Sequence, residues 1–235
     1  MPNSRLRKKT LSKITWALTA LFLFFGGFWA AETALAVELP LTGEPPRLYS
    51  TQCNDDLTRT LTKAISESKQ SVLMIIYALN DPSIIAALRH KAESGVPVKV
   101  LYDHEANPKT KQKLGAAVQT IAFAEKGLMH QKILVIDDAQ VWVGTANMTN
   151  YSLRVHGNLV IGAEDPPLAA YIKSYINSVL EKGSYQTTPY RTFSIGGQRV
   201  EMWFLPDNKE ALDRLLGLIE EAKKTIKVAM FTWTR

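Results

Sequence analysis

Six residues whose types can do chemistry fall within eighteen positions of the segment MHQKILVIDDAQVWVGTANMT: His130, Lys132, Asp137, Gly144, Thr145 and Asn147. Their spacing is H-x-K-x4-D-x6-G-[ST]-x-N. Together the types suit attack on a phosphate diester. Imidazole is a nucleophile whose phosphoramidate product is labile, so it divides one hard substitution into two easier ones. An ammonium group and a side-chain amide hold the non-bridging oxygens as negative charge develops. A lone histidine in an apolar strand is more often a core residue, but a six-residue pattern is not explained that way.

Strand parity assigns roles within the pattern. Residues 130–137 read HQKILVID, apolar and β-branched enough for a buried strand. Side chains alternate between faces, so His130 and Lys132 point one way and Asp137 the other. The first two therefore meet a common phosphate, and Asp137 is read as structural, pairing with a basic group or ending the strand. A second apolar run, QVWVG at 140–144, follows closely and makes a hairpin. Gly144 permits a close backbone approach. Thr145 and Asn147 share parity at the end of that strand, where Asn147 can donate to phosphate and Thr145 can orient the imidazole.

The pattern resembles the HKD signature of the phospholipase D superfamily, with every signature position matched once Thr is allowed for Ser. The resemblance implies an α/β sandwich with a mixed central sheet. It also implies a two-histidine reaction in which one imidazole attacks phosphorus, a second protonates the leaving group, and water frees the phosphohistidine. Carried onto this chain, His130, Lys132, Asp137 and Asn147 form the catalytic set, with Asp137 behind the first two and Gly144 and Thr145 in support. No metal and no cofactor are implied. There is one departure. Many members carry an acidic residue shortly after the Asn, in an Asn-x-Glu-like run that orients the histidine. Here the stretch is RVHGNLVI, so His156 or Asn158 must stand in for it, or the orienting group is missing.

The elements around the signature alternate strands and helices. Residues 71–79, 97–103 and 118–124 read as strands, with helices from Asp81-Pro82 to about 94 and over about 108–116. After the signature, 158–163 reads as a strand and 167–182 as a helix. Buried strands separated by helices give an α/β sandwich with a mixed sheet. His104 ends a strand, where ligands bind in open α/β sheets, but the plainer reading is an exposed loop histidine. His90 reads as solvated. Phe123 and Trp142 lie near the signature and suit either a lipid interface or the core.

An internal repeat organises the rest. Residues 47–79 align without a gap to 201–233 at a constant offset of 154, with Leu61 meeting Leu215, Ile65 meeting Ile219 and Tyr77 meeting Phe231. Each copy reads strand, amphipathic helix, apolar strand. The polar stretch 183–200 between them has the composition of a linker. Residues 37–182 are then one phospholipase D-like domain, and 201–235 resembles the truncated start of a second.

Residues 1–36 read as an export signal, either a cleaved signal peptide or a signal anchor. A basic head (Arg5, Arg7, Lys8, Lys9, Lys13) precedes the apolar run ITWALTALFLFFGGFWAA and the small residues Ala34-Leu35-Ala36. The catalytic part is thus expected outside the cytoplasm, periplasmic, secreted or anchored. This segment also carries most of the charge: the chain is +6, but 37–235 alone is only +2, which is weak support for nucleic-acid binding. Cys53, the only cysteine, allows no intramolecular disulfide and reads as partly buried.

Three functions fit. The first is an exported phosphodiesterase acting on phospholipid, in contact with a membrane surface. The second is a dimeric endonuclease acting on nucleic acid. The third is an inactive remnant of a two-motif enzyme. In an active chain the second histidine comes from a homodimer partner or from a further half carrying its own motif.

Overall fold

Seven strands form the central sheet: β1 (Arg47–Ser50), β2 (Val72–Ile76), β3 (Val98–Asp103), β4 (Gln119–Phe123), β5 (Lys132–Ile136), β6 (Gln140–Gly144) and β7 (Leu159–Glu164). The structure, a computed structural model, describes residues 37–123, 129–182, 188–205, 208–228 and 230, together with 16, 18, 19 and 21. The chain divides into two units, Met1–Glu38 and Leu39–Arg235. Most of the expected export segment lies outside the described residues, of which 16, 18, 19 and 21 are helical. No helix among the described residues is long and apolar enough to cross a membrane.

The strand order is β1-β7-β6-β5-β2-β3-β4. β2, β3 and β4 run parallel, whereas β2–β5, β5–β6, β6–β7 and β1–β7 pair antiparallel, so the sheet is mixed as expected. β2 and β5 are buried at every position, which requires cover on both faces. The helices that supply it are α1 (Leu57–Glu67), α2 (Pro82–Glu93), α3 (Thr110–Leu114), α4 (Asn150–Arg154) and α5 (Pro166–Lys182). On one face Met74, Leu134 and Trp142 pack with Leu61 and Ile65 of α1 and Leu88 of α2. On the other, Ile75, Ile133 and Val141 pack with Ile172 and Ile176 of α5. Alternate residues of each strand serve the two cores, as strand geometry demands.

Local chemistry starts the helices where the sequence places them. Asp56 caps α1 by accepting from Arg59 N–H at 2.9 Å. Asp81 caps α2, accepting from the N–H groups of Ser83 and Ile84, with Pro82 in the first turn. Asp81 is wholly buried, and the Arg154 guanidinium of α4 pairs with it at 2.5 Å. That pairing ties the residues after β6 to the end of β2.

Four expectations change or are decided. Within the linker expected over residues 183–200, β8 (Arg191–Ile195) starts a hairpin with β9 (Gln198–Met202). Gly196 and Gly197 turn it with φ of +54° and +78°, the pair of positive angles that matches strand twist. Only one face of this hairpin is apolar, so half of its residues are polar and its composition is that of a loop. Second, the repeat does not close. The helix α6 (Glu210–Glu220) forms, but 225–228 and 230 make no strand and its leucines, Leu212, Leu215, Leu216 and Leu218, stay exposed. An apolar run becomes a strand only where a neighbour satisfies its backbone groups, and none pairs here among the described residues. Third, the choice left open for Trp142 and Phe123 between a lipid interface and the core falls to the core. Fourth, Cys53 is exposed, because the short 3-10 turn Thr51–Cys53 carries it on the surface.

Candidate active site

Lys132 opens β5 and His130 precedes it by two residues, at the end of the sheet where the parallel strands β2 and β3 finish. Tyr77, just past β2, touches both. Its ring centroid is 5.0 Å from that of His130, edge to face at 66°, and the Lys132 Nζ lies 5.4 Å from the same ring centroid. Lys132 Nζ also donates to the His130 carbonyl at 2.9 Å. Buried Asn107 holds the Tyr77 segment, donating to the Tyr77 carbonyl and accepting from Leu79 N–H. Buried Asp103, at the end of β3, accepts from the N–H of Ala106 and of Met129, the residue before His130. Tyr77, Asn107 and Asp103 escaped the sequence reading. The strand-end rule came within one residue of Asp103, but it singled out His104, which is exposed.

Burial sets the protonation states. His130 has its pKa lowered below the ordinary imidazole value, first by partial desolvation and then by the nearby Lys132 charge. It is therefore a free base at neutral pH. Lys132 is buried, and desolvation lowers its pKa to about 8. Among the described residues no carboxylate pairs with it; a carbonyl and an aromatic face are its partners. A neutral nucleophile beside an ammonium without a counter-ion is a site prepared for an anion.

Gly144, Thr145 and Asn147 reach the same end of the sheet from β6. Continuing the Ile133↔Val143 register puts Gly144 opposite Lys132. A Cβ on Gly144 would lie 2.2 Å from the Leu159 carbonyl oxygen, so only glycine lets β6 run this close to β7. The Thr145 hydroxyl donates to Asn158 Oδ1 at 2.8 Å and accepts from Leu159 N–H at 3.0 Å. It orients the β7 entry, not the imidazole. Asn158 Nδ2 in turn donates to the Ser152 hydroxyl and carbonyl, and the same hydroxyl accepts from Asn147 N–H at 2.9 Å. Asn147 Oδ1 is buried without a hydrogen-bond partner.

Asp137 is the one signature residue the fold carries away from this end. It stands beyond the opposite end of β5, at a turn corner with φ of +53°. Its carboxylate accepts from the N–H groups of Lys69, Gln70 and Ser71 at 2.7 to 3.0 Å. This place agrees with the structural, strand-ending role read from parity, and it leaves the carboxylate no contact through which to act within the catalytic set. Asp137 locks the α1–β2 connection to the β5–β6 turn through backbone donors, not through the basic group suggested by its charge. Asp137→Asn keeps the turn but loses the charged acceptor. It is expected to lower stability by about 2 kcal/mol, the usual worth of a hydrogen-bonded charge. Thermal melting should show that loss, with turnover per folded chain within a few-fold of the unmodified protein. Lost turnover at an unchanged melting temperature would contradict this role.

An open cleft of about 360 Å³ lies beside His130 and Lys132. Gln131, Ile133, Val143, Gly144 and residues Met202 to Leu205 line the rest of it.

The family profile described as "Cardiolipin synthase, PLD-like domain" matches residues 61–180, half of the chain. The chain belongs to the phospholipase D superfamily. A protein named phospholipase D from Rickettsia bellii is 28% identical over 131 residues, covering 54% of this chain and 65% of that protein. A protein named cardiolipin synthase from Clostridium perfringens is 34% identical over 111 residues, covering 42% of this chain and 23% of its own length. The chain thus spans less than two thirds of the length of these relatives. Among solved structures, Nuc from Salmonella typhimurium, a phospholipase D family member, superposes with a TM-score of 0.54 at 18% identity, covering 58% of this chain and 94% of Nuc. NucT from Helicobacter pylori gives a TM-score of 0.51 at 24% identity, over 58% of this chain and 96% of its own. At such identities the likeness is one of fold, and it matches the mixed sheet described above.

For a phospholipase D-like domain, the missing acidic residue has a structural answer. Asn158 links Thr145 to Ser152 and, through that hydroxyl, to the backbone of Asn147. The His156 ring is exposed, 6.4 Å from that of Tyr151, and it is the carbonyl of His156, not its ring, that meets this network, accepting from Asn158 N–H at 2.8 Å. Of the two stand-ins considered, Asn158 is the one wired to signature residues. It holds the β6 exit, and among the described residues no side chain hydrogen-bonds the His130 imidazole.

Proposed function

We propose that the chain is an exported phospholipase D-type phosphodiesterase that hydrolyses phospholipid diesters through a phosphohistidine at His130. One observation carries the reading: an imidazole that is a free base at neutral pH and an ammonium with no carboxylate partner among the described residues meet at one tyrosine ring, beside an open cleft. His130 attacks phosphorus and the bond to one alcohol oxygen breaks. The alcohol leaves with a proton from a general acid; the conjugate base then takes a proton from water as that water attacks phosphorus, and the phosphorus–nitrogen bond breaks to restore the imidazole. Lys132 and Asn147 hold the non-bridging oxygens. The remaining described histidines lack the Lys-Asp flank, so the acid is assigned to the His130 of a second copy across a two-fold axis. The basic head and apolar run of 1–36 support export.

The test is incubation with phospholipid vesicles and, separately, with a single-stranded oligonucleotide. Phosphatidic acid and free head-group alcohol are the expected products, formed in EDTA as in its absence, with turnover per chain falling on dilution. Oligonucleotide cleavage without phosphatidic acid would establish the endonuclease reading instead. No product from either would favour the inactive remnant.

A further inference from the structure

Tyr77 has no part in the reaction above, although its ring is the contact shared by His130 and Lys132. It stands just past β2, and its backbone is fastened on both sides. Its N–H donates to the Gln131 carbonyl at 3.1 Å, between the two signature residues. Its own carbonyl accepts from Asn107 Nδ2, and Asn107 Oδ1 accepts from Leu79 N–H at 3.0 Å. One residue on, the Ala78 carbonyl accepts from Met148 N–H at 3.0 Å, next to Asn147. Residues 77–79 therefore join the start of β5 to the β6 exit and carry the ring to a fixed place. Other partners are few there. Ile76 and Gly144 stand opposite Lys132 on β2 and β6, so neither neighbouring strand offers it a charge. His130 and Tyr77 itself are the titratable groups that face it. Among the described residues no side chain hydrogen-bonds the imidazole or the ammonium.

We infer that Tyr77 is the positioning residue of this site: in place of a hydrogen-bonding side chain, its ring holds the His130 imidazole and the Lys132 ammonium at one phosphate. The reaction it serves rests on the diesterase reading above; the ring contacts stand without it. The two contacts differ in kind. An edge-to-face pair, here at 5.0 Å and 66°, fixes how one ring lies against another. An ammonium within about 6 Å of a ring centroid is attracted by the ring quadrupole, more strongly where water is excluded. Lys132 Nζ lies at 5.4 Å and its residue is buried, so the ring offsets part of the desolvation that acts on the charge. Without the ring the long lysine stem regains rotamer freedom, and a reacting group misplaced by about 1 Å costs about 100-fold in rate. Phenylalanine keeps both contacts. Leucine and methionine fill the space but supply no ring.

Titration of Lys132 in the full chain, followed by carbon NMR of isotope-labelled lysine, reads the ring contact without turnover. The Lys132 signal is the one that Lys132→Met removes. Its midpoint is expected at about 8 in the unmodified chain and in Tyr77→Phe alike. In Tyr77→Leu it is expected to fall by about half to one pH unit, because the desolvated ammonium loses the attraction of the ring. Tyr77→Met repeats the loss of the ring if melting shows that leucine leaves the chain unfolded. Hydrolysis of bis(p-nitrophenyl) phosphate is read beside it at about pH 6.5, where Lys132 keeps its proton in every variant. There kcat is expected to fall about 100-fold in Tyr77→Leu and to stay within about three-fold in Tyr77→Phe. A midpoint or a kcat that Tyr77→Leu leaves in place, a midpoint that rises, or an equal loss in Tyr77→Phe would each overturn the positioning role. The two readings fail separately. If the unmodified chain hydrolyses no diester, the diesterase falls and the lysine midpoint alone decides the role of the ring. If it hydrolyses the diester and Tyr77→Leu changes nothing, the diesterase stands and the positioning role falls.

Discussion

His130→Ala is expected to lower diesterase turnover by about 10⁴-fold or more while the chain stays folded, because the lost group is the proposed nucleophile. His130 is exposed, and its described ring contact is edge to face with Tyr77, so little packing goes with it. Surface changes of this kind shift stability by less than about 1 kcal/mol, or roughly 3 °C in a chain of this size. Turnover on phospholipid and thermal melting, measured on one preparation, separate the two effects. Near-normal turnover would move the nucleophile elsewhere and dismiss the site. Mixing excess His130→Ala chains with unmodified chains extends the test. If each site needs a histidine from two copies, the mixture loses activity out of proportion to dilution.

Lys132→Met is expected to move activity and stability in opposite directions. Removing the cation proposed to neutralise developing phosphate charge should lower kcat by about 10³-fold. The same cation is buried, and its lowered pKa means that the folded chain binds this proton less well than the unfolded chain does. At pH 7 the charge therefore works against folding, and methionine, similar in length, relieves it. A gain of about 2 kcal/mol is expected, of the order of the pKa displacement less the lost carbonyl and aromatic contacts. As pH rises from about 8 towards 10.5 the unmodified lysine sheds its proton in the fold first, so the gap in melting temperature should close over that window. The rate profile follows from the same groups. kcat/KM should fall below the lowered His130 pKa, where the nucleophile is protonated, and above about 8, where Lys132 loses its charge. In kcat the alkaline limb should move upward, because a bound phosphate stabilises the ammonium. A melting gap indifferent to pH, or no alkaline limb near 8 in kcat/KM, would contradict the desolvated lysine.

Much of the scaffold was legible because its information is local. Asp81-Pro82 announces α2 by cap chemistry, and continuous apolar runs such as 72–76 announce strands covered on both faces. Parity along 130–137 placed His130 and Lys132 together and Asp137 apart, since the two-residue period of a strand needs no knowledge of the fold. The hairpin at 191–202 was not legible. A strand pair with one dry face has the composition of a loop, and only Tyr171 and Phe204 beneath it show which face is dry.

The sequence by itself determined the family and the alternation that builds the sheet, and it singled out His130 and Lys132, the residues proposed to carry the chemistry. Each of these depends on residue types at short, countable spacings. Tertiary structure alone decided what surrounds them. Tyr77 reaches Lys132 from 55 positions away, Asn107 grips Tyr77 across 30, and Met202 to Leu205 line one cleft with Ile133 from about 70. The depressed lysine pKa, the Asp137 lock on the α1–β2 connection and the lining of the cleft all arise from such meetings. Desolvation and packing depend on which distant groups exclude water from one another, and chain spacing carries no record of that until the sheet has formed.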